Sequence, residues 1–534
     1  MLTSSAALGV PLDDVGVRAT LAIAVGGFAL AALLGAGRPL PSGTRMAGTA
    51  LVALAGVVTV GVALQSVVLG GTPLPGEDWA EYLLYAQEIA REQSLLIDNP
   101  YWMLERQSFP LDPGAPSLYG AALVLGNGSA TSLLHGIWLF AVLAILAVFV
   151  FTTALWGSTA GLVAAAAYAV VPMNLNMLAW HGLPNVFAFC LLPLGLAAAG
   201  AVLRGHGTRR WAVVLAVALV ALAGAHRFSF VLGVIAIGVA LSIAVVRLPR
   251  ETMRFVGWTA LAAAVAGIGV AIDLVRRNGA LGGTQGYEAF LPTRIDWGLV
   301  ARDVTWPIAI AGIMSLAFVL GARRFRQDAG RLVLIGPVVA IVALTYAWIA
   351  HVPTAYNRAA FFAPLALAPS IGLVASRLKP SLLVPVAAVL VALTAVDTRS
   401  LAADYRGFYG HVNAASLRGL GLALERTEPG DAVVTDQCWG FLSTWLLQRP
   451  VLAALDPALI LPRREVAPAA RAHRILYGDD GEALARQSRI RLALVDPQCT
   501  YQSGDPYPLP RLGRLVYAST RLLVYEVPRV AAAS

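Results

Sequence analysis

The sequence predicts a polytopic α-helical membrane protein with a small α/β domain at its C-terminus. Three observations carry that expectation. Of 534 residues, 58% are hydrophobic and only 13% are charged, against roughly 25% charged in a soluble domain. The apolar residues gather into runs separated by short arginine-bearing loops. Past Val396 those runs cease, and short strands and amphipathic helices replace them.

A spanning helix needs roughly 20 mostly apolar residues. Such runs, some of them short, fall near 18–36, 46–70, 130–154, 158–175, 184–203, 211–225, 228–246, 255–275, 305–321, 331–350, 359–376 and 381–396. They make about twelve transmembrane helices. The 118–127 run is too short to span and reads as re-entrant or interfacial. No basic stretch precedes the first run, so a cleaved signal peptide is not expected. Lys379 is the single lysine, and alanine, glycine and valine abound, the usage of a GC-rich bacterial genome such as an actinobacterial one.

The arginines orient the spans. Arg38 and Arg45, Arg204 with Arg209 and Arg210, Arg247 with Arg250 and Arg254, Arg323 to Arg331, and Arg377 with Lys379 all fall on one side of an alternating topology. Positive charge marks the cytoplasmic side. The opposite connections, 71–117, 176–185, 226–227, 276–304 and 351–358, are then extracytoplasmic, as is everything after Val396. The same count puts the N-terminus outside. A net charge of +9 distributed in this way reports membrane topology and no nucleic-acid partner.

Loops 71–117 and 276–304 far exceed the typical 4–6 residues of a connection. Ala80–Leu96 carries Leu83, Leu84 and Ile89 at helical spacing, which predicts an amphipathic helix on the membrane surface. Tyr101 and Trp102 are expected to anchor it at the interface. The glycine-rich start of 276–304 reads as a lid or as a solvated connector.

Residues 1–396 thus form the transmembrane domain, and residues 397–534 are domain-sized. There a helix is expected over Ala414–Thr427 and strands at Ala432–Thr435, Pro450–Leu455 and Arg491–Val495. A hairpin follows, Leu515–Tyr517 with Leu522–Glu526. Cys438 and Cys499 each lie just past a strand. If those strands are neighbours, an extracytoplasmic location permits a disulfide; the alternative is two unrelated thiols. Cys190 lies in a span and reads as packing.

Four clusters on the outer side could carry chemistry. Glu77, Asp78 and Glu81 stand beside Trp79 and Tyr82. A carboxylate against apolar walls has a raised pKa, which suits a base for an acceptor hydroxyl. Paired carboxylates also hold divalent cations, so Mg or Mn is the cofactor to consider. The plainer reading is a solvated helix start. His181 and Asn185 could bind a metal or a sugar hydroxyl, or simply form a turn with Gly182 and Pro184. His226 and Arg227 occupy a hairpin with almost no room, where ionisable groups are costly and usually face a cavity or partner. Arg358, preceded by Tyr356 and Asn357, sits where positive-inside bias does not account for it. Its planar fork suits a phosphate, or a carboxylate such as Asp273. Walker, dinucleotide, zinc and nucleophile-elbow patterns are missing from the sequence, and the sequon at Asn127 carries no weight.

Taken together, the acidic first outer loop, the many spans, the arginine before a late span and the outer α/β domain resemble the GT-C superfamily. These are membrane glycosyltransferases that use polyprenyl-phosphate-linked sugars. Glu77-Asp78-Trp79 is similar to their first-loop acidic motif, where an Asp is the usual candidate for catalytic base or acceptor positioning. Asp112-Pro-Gly-Ala-Pro-Ser-Leu-Tyr119 looks like the segment leading back into the membrane. Trp180 to Asn185, Ala225 to Ser229 and Asn357 to Phe362 look like patterns of actinobacterial membrane proteins related to this superfamily. Two departures stand out. The acidic loop follows the second span, not the first, and Asn185 stands where metal-using relatives often carry an acid.

The resemblance implies an enzyme of the plasma membrane that transfers a sugar from a polyprenyl-phosphate-linked donor to a cell-envelope glycan or lipid. Asp78 would serve the acceptor hydroxyl, helped by Glu77 or Glu81. Arg358, Arg227 and His226 would take the donor phosphate, and His181, Asn185, Tyr356 and Trp79 the substrate. Two other classes remain: a non-catalytic envelope-assembly subunit binding lipid-linked glycan, with a protein partner, and a lipid or glycan transporter.

Overall fold

The computed structural model describes residues 48–70, 74–93, 97–98, 101–103, 107–108, 114–126, 136–204, 208–244, 250–281, 284–285, 297–322, 329–350, 356–457, 461–501 and 504–528. The run at 18–36, Arg38, Arg45, Arg247, Arg323, Arg324, Arg326, His351, Asp112 and the sequon Asn127 lie outside the described residues.

The described residues up to Tyr409 form a helical bundle with an interposed loop segment. Its helices are α1 (Gly48–Leu69), α2 (Asp78–Glu92), α3 (Gly114–Gly126), α4 (Gly136–Trp156), α5 (Ser158–Ala169), α6 (Pro172–Ala179), α7 (Leu183–Leu203), α8 (Thr208–Ala225), α9 (Arg227–Ala244), α10 (Arg250–Leu281), α11 (Trp297–Val304), α12 (Trp306–Gly321), α13 (Ala329–Thr345), α14 (Tyr356–Ala360), α15 (Pro364–Ala375) and α16 (Pro380–Tyr409). Every apolar run from 46–70 onward coincides with a helix or with the pair α5–α6. Among the described residues six helices are long and apolar enough to cross a membrane, seven if the pair α5–α6, bent by 50°, is one span. That is fewer than the twelve expected. The run at 18–36 lies outside the described residues, Pro172 breaks another, because a proline cannot donate to the preceding turn, and others yield shorter helices such as α12 and α13, of 16 and 17 residues.

Helix contacts are close where side chains are small. A Cβ on Gly336 of α13 would lie 2.0 Å from the Ala236 carbonyl oxygen of α9, so the backbones touch there, as small residues permit between membrane helices. Arginines cap helix ends as well as marking a side. Arg204 donates to Ala154 O at 2.7 Å and to Leu155 O at the end of α4, and Arg331 donates to Leu320 O in α12. At the other end of the bundle, Arg406 of α16 donates to Val67 O (3.2 Å) and to Gly70 O just past α1. Each satisfies carbonyls that a helix C-terminus leaves open.

Helix α16 continues past Val396 to Tyr409, so the 396/397 boundary falls inside a helix. After it come α17 (Ala414–Glu425), β4 (Ala432–Asp436), α18 (Gly440–Leu447), β5 (Val451–Ala454), β6 (Leu461–Pro462), α19 (Arg463–Tyr477), α20 (Gly481–Gln487), β7 (Ile490–Val495), β8 (Arg514–Ala518) and β9 (Leu523–Glu526). Three short strands precede these: β1 (Ile97–Asp98), β2 (Gln107–Ser108) and β3 (Thr284–Gln285). The main sheet has the order β5-β4-β7-β9-β8. β5, β4 and β7 run parallel, and β9 and β8 are antiparallel. β4 and β7 are neighbours, and the cysteines that follow them are bonded: Cys438–Cys499 has an S–S length of 2.05 Å and a Cα–Cα distance of 6.0 Å.

Described parts of the two long loops are built into this domain. α2 does not lie on a membrane surface. Trp79, Leu83, Leu84, Tyr85 and Ile89 are all buried, because α2 is packed between α3 on one side and α18 on the other. Nor do Tyr101 and Trp102 anchor at an interface. Trp102 stacks on Phe441 with ring centroids 4.0 Å apart and pairs with Val451. Val451 N–H donates to Tyr101 O at 2.6 Å, and Ala453 N–H to Met103 Sδ at 3.3 Å. The segment covers the open edge of β5, which satisfies groups that an edge strand leaves unpaired. The second long loop is tied to the same domain through β3, antiparallel to β6.

Candidate active site

The acidic cluster lies where three elements meet. Gly76 adopts φ +89°, and a Cβ there would lie 2.7 Å from the Trp180 carbonyl carbon and 2.9 Å from Ala179 O. Its N–H donates to Tyr409 O at 2.9 Å. The turn after α6 and the end of α16 therefore clamp the backbone just before Glu77. Gly76→Ala is expected to cost about 1–3 kcal/mol and to displace Glu77 and Asp78. A lowered thermal midpoint together with impaired ligand binding would register both effects.

Asp78 opens α2, and Tyr82 O–H donates to its Oδ2 at 3.3 Å. Glu81 lies on the same helix, half-buried. Glu77 Oε2 is buried without a hydrogen-bond partner. Burial raises the Glu77 pKa well above the usual carboxylate range, and the charges of Asp78, Asp436, Glu81 and Asp496 push it further. Glu77 is thereby biased towards its protonated form, which leaves Asp78 as the candidate base. Asp436 ends β4 and Asp496 follows β7, so the carboxyl end of these parallel strands lies near enough for its charges to bear on Glu77.

A fourth carboxylate joins from the second long loop. Asp303 in α11 is 5% exposed and accepts from Tyr405 O–H at 2.8 Å. The Tyr409 phenol stands within the fields of Asp78, Glu77 and Asp303 together. Sequence reasoning passed over Asp303 as the end of a connector. The available signal was a carboxylate directly before an apolar run.

The turn after α6 closes with a Schellman motif. Gly182 N–H donates to Met177 O (2.8 Å) and His181 N–H to Leu178 O (3.2 Å). His181 takes the left-handed position, φ +65°, where glycine is usual; such a residue often marks a functional site. Its ring is fully buried. Asn185 is also buried, and its Oδ1 has no hydrogen-bond partner. Trp79, expected on the substrate, packs into the core instead, 5% exposed.

His226 is buried, with Nδ1 2.6 Å from Ser229 Oγ, and Arg227 beside it is half-buried. Arg358 on α14 is exposed. The Tyr356 and Asn357 side chains lie outside the described residues. Aromatic rings join these positions. Phe189, one turn along α7 from Asn185, stacks on Phe362 at 4.8 Å, and Phe362 contacts Phe228 at 6.3 Å. Both arginines thus belong to the end of the bundle that carries the acidic cluster. Behind the His181 turn, a cavity of about 20 Å³ touches Gln65, Asn174 and Tyr168, room for one water.

No family model matches the sequence, and no curated protein does. Solved structures match the fold. The oligosaccharyltransferase AglB of Archaeoglobus fulgidus, in complex with an inhibitory peptide and a dolichol-phosphate, superposes with a TM-score of 0.56 at 15% identity, covering 84% of this chain and 70% of that one. ArnT from Cupriavidus metallidurans, bound to undecaprenyl phosphate, gives 0.55 at 13% identity over 90% and 98%. The mycobacterial arabinofuranosyltransferase AftD gives 0.52 at 16% over 90% and 42%. The chain therefore has the fold of the GT-C membrane glycosyltransferases.

Proposed function

We propose that the protein is a multi-pass plasma-membrane glycosyltransferase that moves a sugar from a polyprenyl-phosphate-linked donor to a cell-envelope glycan or lipid on the outer face. The observation that carries this reading is the meeting of Glu77, Asp78 and Asp303 at the end of the bundle that also holds Arg227 and Arg358, within a GT-C fold. The Cys438–Cys499 disulfide favours an oxidising, extracytoplasmic location for that end. Twelve spans, counting the apolar run at 18–36, would place it there.

In the reaction, the acceptor hydroxyl oxygen forms a bond to the sugar anomeric carbon. The bond from that carbon to the phosphate oxygen breaks, and the lipid phosphate leaves with the electron pair. Asp78 takes the hydroxyl proton. Protonated Glu77 donates a hydrogen bond. Arg358 and Arg227 stabilise the leaving phosphate, with His226 positioned beside them, while His181 and Asn185, expected on the substrate, are buried and instead hold the turn that backs Gly76 and Glu77. Among the described residues no group of three or more potential ligands is suited to a metal, and a carboxyl that keeps its proton is a poor ligand.

The test is reconstitution of the full chain in liposomes with undecaprenyl-phosphate-linked hexose and pentose donors and envelope-extract acceptors. Sugar transfer is expected. Saturable lipid-phosphate binding without transfer would instead support a non-catalytic assembly subunit, and flux across the bilayer a transporter.

A further inference from the structure

The α/β domain carries a second feature that the transfer chemistry does not use. In open sheets, ligands bind beyond the carboxyl ends of parallel strands. Here Gln437 follows β4, Asp456 follows β5, and the loop Thr500–Tyr507 follows β7 beyond Cys499. Hydrogen bonds hold its described residues in place. Tyr501 N–H donates to Asp505 O, Gly504 N–H to Tyr501 O (both 2.8 Å), and Tyr507 N–H to Cys499 O (3.0 Å). The disulfide fixes its base.

The shape so fixed is an aromatic face. Tyr501 and Tyr507 stack at 3.8 Å, inclined by 22°, and His473 lies nearly parallel to both, 6.3 and 6.1 Å away. Tyr507 is buried beneath, while Tyr501 is half-buried and offers its outer side. His473 Nε2 faces Leu455 O at 2.7 Å; a carbonyl only accepts, so Nε2 carries a proton, and in the neutral ring Nδ1 is the acceptor. Tyr507 O–H donates to Gln437 Oε1 at 3.3 Å, and Asp456 N–H donates to the same oxygen at 3.2 Å. Asp456 itself is buried, 4% exposed. The charges of Asp456, Asp436 and Glu77 all bear on the Tyr507 phenol, so this face adjoins the acidic cluster.

We propose that this face is the acceptor subsite, on which a neutral sugar ring lies against the outer side of Tyr501, backed by Tyr507, with its hydroxyls bonded to Asp456, the Gln437 amide and His473. The identification as acceptor subsite rests on the glycosyltransferase reading; the binding of a neutral glycan does not. Flat rings with a few convergent acceptors suit a polyhydroxyl ligand, whereas carboxylates on this face repel a phosphate. The donor is thereby kept to the arginines, and the acceptor hydroxyl is delivered towards Asp78.

Saturation-transfer NMR on the full chain in nanodiscs tests this with methyl α-D-mannopyranoside, methyl β-D-galactopyranoside, methyl α-D-arabinofuranoside and their homodisaccharides. At least one is expected to bind saturably. Tyr501→Ala should weaken it about tenfold, the loss of one stacked contact, and Asp456→Asn similarly, while Tyr501→Phe stays close to wild type. Undecaprenyl phosphate should bind all three variants as it binds the wild type, which also certifies folding. No binding of any of these glycosides by the wild type, or equal binding by wild type and Tyr501→Ala, would overturn the proposal. Glycoside binding without transfer would leave the subsite standing and sink the enzyme reading alone.

Discussion

Asp78→Asn is expected to lower sugar transfer by about 10²–10⁴-fold, the contribution of a positioned base, with the thermal midpoint and lipid-phosphate affinity unchanged. Asparagine keeps the volume and can still accept the Tyr82 hydroxyl, which lies 3.3 Å from Asp78 Oδ2, but it cannot take a proton. Glu77 is the poorer substitute, because burial and the neighbouring carboxylates favour its protonated form. For the same reason Glu77→Gln, which copies the protonated carboxyl, should be much milder than Asp78→Asn in one assay. Equal losses in the two variants would contradict this division of roles.

Arg521→Ala is expected to cause the largest loss of stability, about 3–5 kcal/mol, the cost of stranding a buried charge. Arg521 is 6% exposed and holds four groups at once. Its Nε lies 3.0 Å from Asp496 Oδ2, and its nitrogens donate to Gln498 Oε1 and Phe408 O, both at 2.7 Å, and to His411 Nδ1 at 2.6 Å. The residue ties the end of α16 to β7 and thus holds the sheet over the bundle. A much lower thermal midpoint of the full chain is the readout. Arg521 also decides the state of His411. A guanidinium only donates, so Nδ1 must be unprotonated, and the contact to Asp496 at 2.9 Å is no ion pair. Burial lowers the His411 pKa, Arg521 adds to this, and Asp496 opposes it. A depressed folded-state pKa means that the unfolded chain binds the proton first. Stability from this group is full above the ordinary histidine pKa of about 6.5 and declines as pH falls through and below it. His411→Asn should flatten that decline.

The bundle and the sheet were legible because both write themselves in periodicity. The runs from 46–70 onward became helices, and the strands at 432–435 and 491–495 placed the two cysteines side by side. Alternation of the spans also put Glu77, Asp78, Arg227 and Arg358 at one end. Contacts between elements were not legible. Tyr101-Trp102 reads as an interfacial pair from composition, and nothing local says that a sheet edge at Val451 awaits it. Trp79 sits one position from Asp78, yet helical rotation turns it into the core. His181 took the left-handed turn position that Gly182 seemed made for. Asp303 became visible only once Tyr405 and Tyr409 brought α11 beside the acidic cluster.

The central claim is that one outward site holds a lipid phosphate between Arg227 and Arg358 within reach of Asp78. A cryo-EM map of the full chain in nanodiscs with added undecaprenyl phosphate tests it most directly. The account predicts phosphate density at charge-assisted hydrogen-bond distance, about 2.7–2.9 Å, from both guanidinium groups, with its open side towards Asp78. Phosphate density elsewhere, or Arg227 and Arg358 turned to separate surfaces in that map, would contradict it.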